Sequence, residues 1–75
     1  MEIKPGDMVK AAYIVDGHSG IYHHGVVVEI ERIKDLFSEK YSITETNTYV
    51  RILSAGRVMT FQHREDIIEL IDESR

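Results

Sequence analysis

The sequence contains no cysteine. No disulfide can staple the chain, no thiolate can act as nucleophile, and no zinc site built on sulfur can form. The same absence fits a reducing cytoplasm. Long apolar runs are missing too. Stretches such as Val26-Val27-Val28 are far shorter than the roughly 20 residues a spanning helix needs. The first eight residues carry Glu2, Lys4 and Asp7 without an apolar core, which does not read as a signal peptide. A cytoplasmic protein with no membrane partner is expected. Positive charge is also scarce: nine basic side chains face thirteen acidic ones, for a net charge of −4. A general nucleic-acid binder shows a basic balance or a clustered basic face, so the weight falls on a protein partner, although a local basic patch can outweigh the total. No repeat, low-complexity run or linker divides the chain, and residues 1–75 are expected to form one domain. A chain this short buries only roughly 60% of its unfolded surface, so its core is thin.

What is present reads as short strands and tight turns. Lys4-Pro5-Gly6-Asp7 is a turn signal, and Met8 to Val15 follows as a strand. Asp16 to Gly20 is loop-like in composition. After Gly25, the run Val26 to Glu31 alternates, with Val26, Val28 and Ile30 on one face and Glu29 and Glu31 on the other, the period of a half-buried strand. Thr48 to Leu53 alternates again, Ser54-Ala55-Gly56-Arg57 reads as a hairpin turn, and Val58 to Phe61 returns. His63 to Asp66 suits a single 3₁₀ turn before a last strand, Ile67 to Ile71. The predicted core is Val9, Val26, Val28, Ile30, Val50, Ile52, Phe61, Ile68 and Leu70. Between Arg32 and Asn47 two patterns compete. Ile33, Leu36 and Phe37 have helical spacing, whereas Lys40 to Thr44 alternates as a strand extension would. A long, partly ordered excursion is the favoured reading.

Five short strands, a tight hairpin between the third and fourth, and a single turn before the fifth resemble the SH3-like small barrels. The resemblance runs from Pro5-Gly6-Asp7 to Ile71. It implies an all-β, five-stranded barrel with a 3₁₀ turn before the last strand and a long loop between the second and third. The segment Tyr49 to Leu53, with Gly56, Phe61 and Asp66 to Glu69, is also similar to short barrel proteins encoded by bacteriophages. Gly6-Asp7-Met8-Val9, with Gly17, Gly20, Gly25 and Val27, looks like a KOW-type barrel. That likeness implies contact with RNA, ribosomes or RNA polymerase.

Few residues carry chemistry. His18, His23 and His24 cluster, but in an extended segment His23 and His24 point to opposite sides and cannot share one metal ion. No metal or other cofactor is expected. Pro5-Gly6-Asp7 with Tyr22-His23-His24-Gly25-Val26 resembles the histidine box of the circularly permuted papain-like hydrolases. Their histidine activates a cysteine, and none exists here, so an enzyme is not expected. The reading is a non-enzymatic binding or assembly module. Its protein-binding surface lies between the first loop (Asp16 to His24) and the excursion (Arg32 to Asn47). Tyr22, His23, Tyr41, Tyr49 and Arg51 are the candidate binding residues, since tyrosine joins an apolar body to a polar tip. A KOW-like nucleic-acid- or transcription-associated barrel is the alternative. The acidic end (Glu65, Asp66, Glu69, Asp72, Glu73) reads as a solvated face. Val27, Ile14, Ile67 and Ile71 fall off the predicted core face and form a candidate apolar patch, for which a homodimer is expected.

Overall fold

A computed structural model describes residues 3–38 and 43–71. These residues are mostly strand, with no helix among them. The strands are β1 (Met8–Ala12), β2 (Ile14–Val15), β3 (His18–Ser19), β4 (His23–Ser38), β5 (Ile43–Ser54), β6 (Arg57–Gln62) and β7 (Ile67–Leu70). Five of them build one antiparallel sheet in the order β6-β5-β4-β1-β7, while β2 and β3 form a separate small hairpin.

Turn chemistry explains the two tightest hairpins. Asp16 and Gly17 lie at φ 52° and 79°, between the paired Val15 and His18; Ala55 and Gly56 lie at φ 52° and 78°, between the paired Ser54 and Arg57. Positive φ at both central positions is the type I′ arrangement that matches strand twist. The expected turn at Ser54 to Arg57 is therefore present. The stretch Asp16 to Gly20 is not a plain loop, however. Its Asp-Gly pair drives a hairpin, and Met8 to Val15 breaks at Tyr13 instead of running through as one strand.

The excursion expected between Arg32 and Asn47 is corrected. The chain pairs there from Arg32↔Thr48 through Lys34↔Thr46 to Leu36↔Thr44 and, past a register shift, Ser38↔Ile43, so the loop between the second and third long strands becomes a hairpin arm. Thr44, Thr46 and Thr48 alternate along β5, and β-branched residues favour the extended backbone. Beyond Thr48 neither β1 nor β6 flanks this arm.

The core consists of Val9, Ala11, Val27, Val50, Ile52 and Phe61, with Ile3, Ile30, Met59 and Ile68 packed against it. Six of the expected core positions, Val9, Ile30, Val50, Ile52, Phe61 and Ile68, are thus inside or against it. Val28, Leu70 and Val26 are not: Val28 is 46% exposed and Leu70 53% exposed, and Val26 is half-buried on the outer face. Val27, expected in a surface patch, is 2% exposed. The parity of β4 exchanges the valines, and a β-bulge follows them. Val27 pairs with Ile52 and Glu29 with Arg51, leaving Val28 as the extra residue. Gly25 is buried opposite Val9, and only glycine fits there, since a Cβ would run into the backbone carbonyl of Leu53. Gly25 sets Val27 inward as well, two residues on. Without a bulge the same parity would carry Glu29 into the core. The extra residue exchanges the faces, so Ile30 packs inside and Glu29 escapes to meet Arg51.

Candidate functional site

The half-buried Asp66 carboxylate organises one end of the sheet. Its Oδ2 accepts the Gln62 backbone N–H at 2.9 Å, and its Oδ1 accepts that of Ile14 at 3.1 Å. The turn after β6 is thereby tied to the start of the first loop. The Tyr13 ring stacks on Phe61, with centroids 4.3 Å apart, and lies at the same junction. The His63 backbone N–H donates to the Thr48 carbonyl at 2.8 Å, which seats the turn against the base of the hairpin arm. First loop, turn and arm therefore form one continuous strip.

A cleft of about 260 Å³ opens in this strip, lined by Arg32, Thr46, Thr48, His63 and Arg64. The register accounts for its walls. Arg32 lies across from Thr48 and Lys34 across from Thr46, so these four residues share the inward-facing side of the arm, beyond the end of the core. Among the described residues, the ion pairs use other cations. Lys10 pairs with Glu69 at 3.4 Å, and Arg51 with Glu29 and Glu31 at 3.2 and 2.8 Å. Arg32, Lys34 and Arg64 hold no such partner.

The residues singled out from sequence fall elsewhere. Tyr22 is exposed and lies under the Lys10 ammonium, which is 5.2 Å from its ring centroid. His23 is half-buried opposite Ala11, with its ring 6.4 Å from that of Phe61. His24 pairs with Lys10 on the opposite, exposed side. Tyr49 and Arg51 sit together on the outer face of β5. The hydrogen bond to Glu31, with the charges of Glu31 and Glu29, holds the Arg51 guanidinium above the ordinary arginine pKa, so its charge is already answered within the chain. Tyr41 lies outside the described residues. Among those residues, no group of three or more His, Asp or Glu side chains comes together as metal ligands, and no helix is long and apolar enough to cross a membrane.

The cleft residues were not among the sequence candidates. Their signal was present: Arg32 and Lys34, like Thr46 and Thr48, are two apart. They share a face only if the segment is strand, and the excursion reading hid that. The outer face carries a second feature. Met8, Val26, Leu53 and Val58 pair in sequence across β1, β4, β5 and β6, making an apolar row that ends on Val58, 60% exposed, at the sheet edge. This row lies on the outer face, whereas the expected group centred on Val27 does not form a surface patch, because Val27 is buried. In comparison with known proteins, the chain matches no family model, no curated protein and no solved structure.

Proposed function

We propose that this chain is a non-enzymatic binding module built as an SH3-like small barrel. It engages a protein partner along the strip between the first loop and the base of the hairpin arm. The barrel reading is supported by the strand order β6-β5-β4-β1-β7 and by the type I′ hairpin before β6. It is also supported by the single turn before β7, where Glu65 and Asp66 both donate to the Gln62 carbonyl, at 3.1 and 2.9 Å, the first of them with 3₁₀ spacing. The cleft between Arg32, Thr46, Thr48, His63 and Arg64 carries the functional reading. It is a concave site with convergent polar groups on connections held by a sheet, and the exposed Tyr13 stacks on Phe61 of the same sheet.

Site-specific photo-crosslinking in the native host tests it. Probes at Tyr13, Thr46 and His63 are expected to trap the same protein species, and a probe at Tyr49 on the outer face is expected to trap none. Adducts from Tyr49 alone, or nucleic acid in place of protein at the strip, would overturn the reading. A second copy of the chain is the occupant we propose for the outer face. The apolar row reaches β6, an edge strand of the sheet. Pairing two β6 edges about a two-fold axis would join the rows of two copies.

A further inference from the structure

We propose that the cleft at the base of the hairpin arm is an oxyanion site that receives the phosphate of a phosphorylated side chain. This rests on the reading of the strip as a protein-binding surface and specifies its ligand. The lining is rich in donors: two guanidiniums, two hydroxyls and an imidazole, with no carboxylate among them. Lys34, on the same side of the arm as Arg32 and across from Thr46, adds a third cation at the rim. With Lys10 and Arg51 committed to acids, three of the five described cations without an ion pair, Arg32, Lys34 and Arg64, gather here in a chain of net charge −4, while Lys4 and Arg57 lie outside the cleft lining. A guanidinium offers a planar fork of N–H donors suited to two oxygens of one anion. A phosphate monoester carries roughly −1.5 to −2 charges at neutral pH, which fits two guanidiniums better than a single carboxylate does.

Arg64 supplies an independent observation. Its φ is 89°, in the left-handed half of the map that a bulky non-glycine residue rarely adopts. Arg64 is exposed, so burial of its side chain does not offset that conformation. A glycine would occupy the position more easily. Strain retained at an exposed residue points to a use for its side chain, and here that side chain lines the cleft. A polynucleotide fits less well. A duplex or strand needs several neutralised phosphates in a row, whereas the cleft offers Arg32 and Arg64 with Lys34 at its rim, and Glu65 follows Arg64 in the chain.

The test is an amide NMR titration of the intact chain with four probes: inorganic phosphate, N-acetyl-phosphoserine amide, the same compound without its phosphate, and short oligothymidylate. Inorganic phosphate and the phosphoserine compound are expected to shift Thr46, Thr48, His63 and Arg64. The phosphoserine compound should bind at least on the order of tenfold more tightly than its unphosphorylated form. Arg64→Gly, which relieves the backbone, is expected to keep or raise the melting temperature while abolishing these shifts, and Arg32→Gln to weaken them. Silence of the cleft amides with both phosphate probes overturns the inference. So do shifts unchanged in both variants, or oligothymidylate binding ahead of the phosphoserine compound. If protein crosslinks at Tyr13 persist while the phosphate probes are silent, the oxyanion assignment fails and the protein-binding strip stands.

Discussion

Asp66 illustrates how much a single side chain can hold. In sequence it belongs to a run of acids that reads as a solvated face, yet its two oxygens each accept a backbone N–H, from Gln62 and from Ile14 fifty-two positions away. Asp66→Ala leaves two part-buried donors without their acceptor and is expected to cost about 2 kcal/mol, since each lost charged partner exposes a desolvation penalty of that order or less. Asp66→Asn keeps one acceptor oxygen and should cost about half as much. Urea midpoints at constant m-value check both, and equal stability of all three proteins would place the carboxylate in solvent. Ala55 shows the opposite imbalance. It takes φ 52° in the same turn type for which Asp16 serves in the first loop. Left-handed geometry costs an alanine roughly 1–2 kcal/mol, and asparagine tolerates it better. Ala55→Asn is therefore expected to stabilise the protein by about 1 kcal/mol, read as a rise in melting temperature; a fall would contradict the type I′ assignment.

At the scale of the element, β4 makes the sharpest statement. Its three consecutive valines are equivalent by hydrophobicity, and the inward parity set at Gly25 distinguishes Val27 from its neighbours, with the bulge then turning Ile30 inward. Val27→Asp would bury an unpaired carboxylate among Val9, Ile52 and Phe61, at a cost of several kcal/mol, comparable to the roughly 5 kcal/mol that holds a small domain together. It should abolish the cooperative melt. Val28→Asp lies on the exposed side and should change stability by no more than about 0.5 kcal/mol. Thermal melts of the pair decide the register, because the opposite ranking would place Val28 in the core and remove the bulge.

At the scale of the molecule, two parts are separable from the core. The arm beyond Thr48 is a two-strand ribbon, and such ribbons add little stability of their own. Replacing residues 35–45 by an Asn-Gly turn is expected to leave a cooperative melt while removing strip crosslinks from the probe at Thr46. Loss of folding would show that the arm supports the core. The outer row, Met8, Val26, Leu53 and Val58, governs self-association. Light scattering across a dilution series is expected to show a dimer mass at high micromolar concentration, and Val58→Lys to return the monomer. A constant monomer mass for the unaltered chain ends the two-fold proposal.

Local chemistry was legible without coordinates. Alternation in Thr48 to Leu53 and the Ala-Gly turn identify the β5–β6 hairpin, and the absence of cysteine removes thiol chemistry, because these are properties of neighbouring residues or of composition. The Asp-Gly pair at 16–17 and the alternating threonines of β5 carried equally local signals for the first-loop hairpin and the arm. The inward parity of β4 was not legible. It follows from Gly25 lying flat against the Leu53 carbonyl and from Val27 exchanging backbone hydrogen bonds with Gly6 and Asp7, at 2.8 and 2.9 Å. The same holds for the cleft. Arg32, Thr48 and Arg64 lie far apart in the chain, and the register of β4 on β5 and the seating of His63 on Thr48 bring them together. Sequence spacing specifies which side of a strand a residue takes relative to its neighbours; only pairing between distant strands decides which side is the core and which groups share a cleft.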